Sequence, residues 1–549
     1  MAHVITQACC NDASCLSVCP VNCIHPRPGE PGFATAEMLY IDPAGCIDCG
    51  ACVDECPVSA IKPDDKLDET NRHFLDLSAA YYTDHQPTRR KPVTLPLPPP
   101  PRPTHIAVIG SGPSAFYAAE ELLSQPGVSV DMFERLPTPY GLVRAGVAPD
   151  HQSTKAVTRM FAATAARQSF RYFLNVEVGR DVTLDELTAR YDAVLHASGA
   201  AHDRRLGIDG EDLPGSVSAT QFVAWYNGHP DFANEQFDLS GETAVIVGNG
   251  NVALDVARIL VSDPESLAST DIADHALTAL RGSKVREVVV LGRRGIAEAA
   301  HTIGEFAALG NLPAVDIVID PDDLQLPTST AAALADGTLD SMLAAKIRIA
   351  QAYSGRPITP GNRRIVMRYL VAPESIIGES TVAGIACVHN VYTEGVKVAA
   401  TSQRFTTDTG LVIRAAGYRG SPIPGLPFDS ERCVVPNDDG RVPQTRGQYV
   451  AGWIKRGPTG GIGMNRVCGR ETARTILADL ASGQLRSPEI PRGDVMDLLK
   501  ARGARPIDAD GWSRIDRHER SAGHRAGRPR VKLVDTAELE AAARRPRHE

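Results

Sequence analysis

Seven of the chain's twelve cysteines, all within the first 56 residues, fall in two runs. Cys46, Cys49, Cys52 and Cys56 follow the spacing C-x2-C-x2-C-x3-C, with Pro57 next. Cys9, Cys15 and Cys19 repeat that spacing, with Pro20 next and Asp12 where the second cysteine would stand. Thiolates spaced this way on a tight loop hold iron–sulfur clusters, and the last cysteine of each run closes the cluster of the other. One site should then take Cys46, Cys49, Cys52 and Cys19 and carry a [4Fe–4S] cluster. The other should take Cys9, Cys15 and Cys56, with Asp12 at its fourth corner. A carboxylate is a harder and weaker ligand for this iron than a thiolate. The second cluster therefore reads as [3Fe–4S], or as [4Fe–4S] with Asp12 or water on a labile iron; the three-iron form is preferred. Zinc sites pair two CxxC units instead. Cys10 and Cys23 fall outside the pattern. The chain begins as an electron carrier.

The elements that must supply those electrons come later. Residues 87–104, PTRRKPVTLPLPPPPRPT, hold eight prolines and read as a semi-rigid linker. The apolar strand His105-Ile-Ala-Val-Ile109 follows, then Gly110-Ser-Gly112-Pro-Ser-Ala115 and an apolar helical run. This is GxGxxA between strand and helix. Its first glycine permits the turn, its second lets a pyrophosphate approach, and Ala115 lets helix and strand pack closely. The next strand, Val128–Phe133, ends at Glu134, placed to accept hydrogen bonds from a ribose. The unit recurs as Thr243–Val247, Gly248-Asn-Gly250-Asn-Val-Ala253 and a helix. Two such units imply two dinucleotides. In the second, the following strand, Val288–Leu291, leads to Arg293 and Arg294 in place of an acid. An arginine pair there suits a 2′-phosphate and hence NADPH. Tyr191–Gly199 reads as the strand that closes the first unit. Gly410–Gly417 reads as the chain returning to it, with the NADPH unit inserted between.

Bulk properties narrow the partners. Of the net charge of −9, the whole amount sits on residues 1–86, where 13 Asp or Glu face four Lys or Arg. A small acidic domain suits docking on a basic patch, or equally serves solubility alone, and makes nucleic acid a poor partner. No stretch approaches the roughly 18 apolar residues of a membrane span. The segment MAHVITQACC has no charged leader, and Cys387, Cys433 and Cys468 are scattered, so a cytoplasmic, reduced protein is expected.

Residues 105–549 resemble adrenodoxin reductase and the actinobacterial ferredoxin–NADP reductases. The resemblance rests on Pro139–His151, Phe222–Gly228, Gly250–Arg258 and, most specifically, Gly452-Trp-Ile-Lys-Arg-Gly-Pro-Thr-Gly-Gly461. With the cysteine runs, the whole chain resembles the fused ferredoxin/ferredoxin–NADP reductases. The resemblance implies an α+β two-cluster ferredoxin domain followed by an α/β, glutathione-reductase-like flavoprotein with two Rossmann-type dinucleotide-binding domains. The expected divisions are 1–86 ferredoxin, 87–104 linker, 105–205 FAD domain, 206–411 NADP domain and 412–549 the rest of the FAD domain. It implies FAD contacts at Gly110, Gly112, Ser114, Glu134, Leu142, Val178, Trp453, Gly460, Gly461 and Ile462. It implies NADPH contacts at Asn249, Gly250, Asn251, Val252, Arg293, Arg294, Glu305 and again Gly460, and a supporting histidine, His151, near the flavin. Three positions depart from the family: His301 replaces a phenylalanine, Ala308 replaces an acid, and Ile462-Gly-Met-Asn replaces the mammalian Ile-Thr-Thr-Thr.

The function implied is NADPH:ferredoxin oxidoreduction, with electrons passing through FAD to the chain's own clusters and on to an external ferredoxin or terminal redox enzyme. Two other readings are an electron-supplying subunit of a glutamate-synthase-like complex and a non-enzymatic carrier with a vestigial reductase. The Trp453–Gly461 segment opposes the first, and intact glycines in both nucleotide units oppose the second. A thioredoxin-reductase reading fails because residues 105–549 hold no CxxC.

Overall fold

The computed structural model describes residues 2–30, 32–36, 38–85, 100–485, 487–490 and 495–545. Most of the proline-rich linker, 86–99, lies outside them.

Each cysteine run wraps one short helix, Ser14–Val18 and Ala51–Glu55. Antiparallel pairs His3–Ile5 with Ile61–Pro63, and Ile24–His25 with Tyr40–Ile41, tie the two loops together. The helix His73–Asp84 closes this α+β unit and packs on Ser341–Ser354 of the reductase.

The reductase holds two parallel sheets, whose strands are near-continuous apolar runs because both faces are covered, one face of the second by the antiparallel sheet Val371–Ile377, Gly384–Tyr392, Val398–Asp408. The first runs Gln448–Val450, Ala193–His196, Thr104–Ile109, Val128–Glu134, Phe170–Leu174. The second runs Ser216–Ser218, Leu411–Arg414, Thr243–Val247, Glu287–Gly292, Arg363–Tyr369, Val315–Ile319. Leu411–Arg414 thus belongs to the second sheet, paired on both sides, and not to the first as the sequence suggested. The chain returns to the first sheet only at Gln448–Val450, after Tyr418–Arg419 pairs with His202–Asp203 as a two-stranded bridge between the domains. The boundary expected at 411 therefore moves beyond Arg414.

The 20-residue helix Ile462–Ala481 lies along Pro113–Leu122. Gly469 makes the approach possible, since a Cβ there would stand 2.5 Å from the Ser114 carbonyl oxygen. Buried residues of the cysteine-rich unit, among them Phe74 and Leu77, run into one apolar core with Phe116, Tyr117 and Ile476 of the reductase. No described helix is long and apolar enough to cross a membrane.

Candidate functional site

Both glycine-rich turns open onto one cavity of about 1820 Å³. That exceeds the roughly 300–1,000 Å³ of a typical single-ligand pocket, as room for two dinucleotides would. In each turn the first glycine is left-handed, Gly110 at φ +100 and Gly248 at φ +120. A Cβ would stand 2.5 Å from the Ala197 oxygen at Gly110 and 2.4 Å from the Ala415 oxygen at Gly248. The second glycine leaves space. A Cβ on Gly112 would meet nothing within 4 Å, and one on Gly250 only Ala300 at 3.8 Å. Helices Pro113–Leu122 and Asn251–Val261 then present their N-termini, the positive ends of their dipoles, to whatever fills the cradle.

The expected FAD residues converge on this cavity. Gly110, Gly112, Ser114, Glu134, Leu142, Val178, Trp453, Gly460, Gly461 and Ile462 all line it. Glu134 accepts from Ser111 N (3.1 Å), Ser111 Oγ (2.8 Å) and Leu136 N (3.0 Å), which fixes its carboxylate at the end of the strand. Ser114 Oγ is buried without a protein partner, a polar group left for a ligand. Trp453 donates from Nε1 to the Gly460 carbonyl at 3.3 Å and packs against Tyr418.

The expected NADPH residues line the same cavity, Glu305 included. Arg293 and Arg294 are exposed at the rim with no carboxylate partner among the described residues. Their backbone carbonyls are held by Asn390 Nδ2 (2.8 Å) and Leu370 N (3.2 Å). The Asn251 side chain is committed elsewhere: its Oδ1 accepts from Thr302 N at 2.9 Å, fixing the start of the helix Ile303–Leu309 that carries Glu305. Only its backbone faces the cradle. His301 replaces the family's phenylalanine by imitation. It is buried, stacks on Phe306 at 4.4 Å and reaches the Tyr369 hydroxyl at 3.0 Å. Burial holds its imidazole neutral, well below the ordinary histidine range.

Glu305 sits in a charged chain. Its Oε2 lies 4.0 Å from His151 Nε2 and 3.8 Å from Arg258 Nη1. Burial raises its carboxyl above the usual range despite the opposing pull of His151, Arg258 and a hydrogen bond from Gln7. Burial also works against ionisation of Asp150, yet bidentate contact with Arg258 (2.7 and 3.0 Å) holds that carboxyl at about 2.

The cysteine-rich unit forms part of the same wall. Gln7, Cys9, Cys10 and Asn11 line the cavity beside Gly460, Gly461 and Ile462. Gln7 Nε2 donates to Glu305 at 2.9 Å, and Gly463 N donates to the Cys10 carbonyl at 3.0 Å. Gly463 is the family departure noted above: a Cβ there would stand 1.6 Å from the Asn11 oxygen. Asp12 Oδ2 is 3.0 Å from Arg466 Nη1 and is also bonded by Ser14 Oγ. Among the described residues this is the one ion pair joining the acidic unit to the reductase. Seating therefore depends on close backbone packing more than on the basic patch the charge distribution suggested. Sequence reasoning passed over Gln7 and Arg466.

The seven cysteines gather into two groups. Cys19, Cys46, Cys49 and Cys52 line a small cavity with Cys23, whose sulfur is 3.5 Å from that of Cys19. Cys9, Cys15 and Cys56 act on one another electrostatically, with Asp12 among them. Burial pushes the Cys9 thiol up to about 12 and the Cys52 thiol likewise, so iron must displace protons as it binds.

Two parallel nucleotide sheets, a shared cavity and a cysteine-rich unit in its wall define a pyridine-nucleotide oxidoreductase joined to an iron–sulfur carrier. Residues 104–295 match the family described as pyridine nucleotide-disulphide oxidoreductase, and residues 39–62, which hold the second run, match the 4Fe-4S binding domain. The chain is 49% identical to a probable ferredoxin/ferredoxin–NADP reductase of Mycobacterium tuberculosis, over 99% of this chain and 95% of that one. Its counterpart in Mycobacterium leprae is 46% identical over 99% and 98%. The solved structure of Mycobacterium tuberculosis FprA in complex with NADPH matches with a TM-score of 0.76 at 46% identity, covering 80% of this chain and all of that one. The chain belongs to the ferredoxin/ferredoxin–NADP reductase family.

Proposed function

We propose that this chain takes electrons from NADPH through FAD into its own two iron–sulfur sites and passes them to an external ferredoxin or terminal redox enzyme. The observation that carries the reading is the shared cavity: both glycine cradles, the Arg293–Arg294 rim and the Cys9–Asn11 loop face one space. Bound there, the nicotinamide supplies a hydride and the flavin divides its electron pair into single electrons.

The protein's part is positioning. Gly110, Gly112 and the N-terminus of Pro113–Leu122 receive one pyrophosphate, and Gly248, Gly250 and Asn251–Val261 receive the other. Arg293 and Arg294 select the 2′-phosphate with charge-assisted hydrogen bonds. Glu305, held by Arg258, Gln7 and its own burial, keeps a proton-binding group at the floor beside His151. Cys19, Cys46, Cys49 and Cys52 would hold a [4Fe–4S] cluster, and Cys9, Cys15 and Cys56 a [3Fe–4S] cluster. The exposed Cys49 and the free thiols elsewhere suit the reducing cytoplasm.

An anaerobic NADPH titration followed by visible absorbance and EPR tests this. The flavin band should bleach and a reduced-cluster signal should appear without added ferredoxin. A bleached flavin with oxidised clusters would refute the internal relay. Replacing Arg293 and Arg294 with alanine should raise the KM for NADPH by about 10-fold or more, the worth of at least one charge-assisted hydrogen bond, and leave that for NADH unchanged.

A further inference from the structure

The two cysteine runs are alike in sequence and unlike in setting. Cys9, Cys10 and Asn11 line the cofactor cavity, while no residue of the second run does. Asp12 and Cys15 are buried, whereas Ile47, Asp48 and Cys49 of the second run face solvent, Ile47 at 59% exposure. The first run is also gripped. Arg466 Nη1 lies 2.6 Å from the Asp12 carbonyl oxygen, 3.0 Å from its carboxylate and 2.6 Å from Ser14 Oγ. The guanidinium itself stacks over Tyr117 at 5.7 Å. Two contacts one turn apart follow at the start of a single helix: Gly463 on Cys10 and Asn11, and Arg466 on Asp12.

From these contacts we infer that Arg466 is a docking residue which, by its grip on Asp12, holds the Cys9–Cys15 loop in the cavity wall, makes the first-run site the flavin-side electron acceptor and withholds the Asp12 carboxylate from iron. The inference rests on the proposed relay. The electrons balance simply: NADPH becomes NADP+ by losing two electrons and one net proton, each iron–sulfur site takes one electron, and the proton goes to solvent. The missing fourth cysteine is then a gain of function. A cysteine at position 12 could ligate iron but could not answer Arg466, whereas aspartate spans the interface with a charge-assisted, multiply bonded contact. The second-run site, with four thiolates of which Cys49 is exposed, is the exit.

Arg466→Gln and Asp12→Asn, each purified with flavin and iron contents matched to the wild type, test this. Rapid mixing with NADPH separates flavin bleaching from cluster reduction. In the wild type the oxidised three-iron EPR signal should vanish before the reduced four-iron signal grows. In both variants bleaching should keep its rate and cluster reduction should slow about tenfold, the worth of one charge-assisted hydrogen bond. A readout independent of turnover is iron uptake. With dithionite and ferrous iron, Asp12→Asn should stay three-iron, having no carboxylate to offer, while Arg466→Gln should convert to four-iron at least about tenfold faster than the wild type, because its Asp12 is released. Cluster reduction that keeps the wild-type rate in both variants, with normal bleaching, overturns the docking role. A four-iron signal that appears first overturns the order. A flavin that NADPH fails to bleach removes the relay, and this inference with it.

Discussion

Two loops of nearly the same spacing sit in opposite settings here. The second cysteine run keeps all four thiolates and sits at the surface, with Ile47, Asp48, Cys49, Asp54 and Glu55 exposed. The first has given up one thiolate and is enclosed, its backbone bonded to Gly463 and its aspartate to Arg466. The contrast teaches that a ligand spacing defines which metal a loop can hold, while neighbours from the rest of the chain decide which way the electron travels.

The largest effect should come from breaking the exit. Cys49→Ser removes a thiolate the four-iron site cannot replace. Iron content should fall by about four atoms per chain, since ligand loss destroys a cluster of this type. Delivery to an external acceptor should drop at least about 100-fold, because binding and folding of such loops are coupled. NADPH should still bleach the flavin. Unchanged delivery to an acceptor would erase the distinction between the two loops. Next in size is Asp12→Cys, which makes the first run like the second. The oxidised three-iron EPR signal should disappear, yet flavin-to-cluster transfer should be slower than in the wild type by about tenfold. Faster transfer would mean that the missing ligand, and not the contact to Arg466, is what matters there.

Gly463→Ala tests the seating without touching metal ligands. The added methyl must displace the Asn11 carbonyl, and overpacking of this kind costs about 1–3 kcal/mol. Calorimetry should show a lower unfolding midpoint, with slower cluster reduction and an unaltered flavin spectrum.

The smallest effect concerns Glu305. Its carboxyl is raised by burial above the ordinary 4.5. Between that value and the raised one, the folded state binds more protons than the unfolded state, so this group costs stability as pH rises through the window and is neutral below it. Glu305→Gln should flatten that part of the denaturation-midpoint profile. Gln7→Ala removes a hydrogen bond that favours the carboxylate, so the loss should steepen and extend to higher pH. A profile insensitive to Gln7 would place the first loop away from the nicotinamide floor.

Much of this architecture is legible in the sequence, and for a physical reason. The cysteine runs and both GxGxxA units are local patterns whose chemistry demands fixed spacing, so Cys46–Cys56, Gly110–Ala115 and Gly248–Ala253 announce themselves. The strand Leu411–Arg414 misleads because it resembles Ala193–His196, an apolar run that ends in small residues. Any buried parallel strand reads so, and nothing local says which of two sheets receives it. The seating of the first loop is hidden for another reason. Asp12 and Arg466 are 454 positions apart, and an acid and a base are common everywhere. The glycine at 463, where the mammalian reductases carry threonine, stood out in the sequence without saying what comes close to it.

That glycine has a kinetic consequence. Because the Gly463 N–H and the Cys10 carbonyl belong to one chain, the flavin and first acceptor of the proposed relay would meet without diffusing to each other. Transfer between them is a first-order event, governed by a rate in reciprocal seconds that dilution leaves untouched. A reductase with a separate ferredoxin slows as that partner grows scarce; in the proposed relay this internal transfer would not.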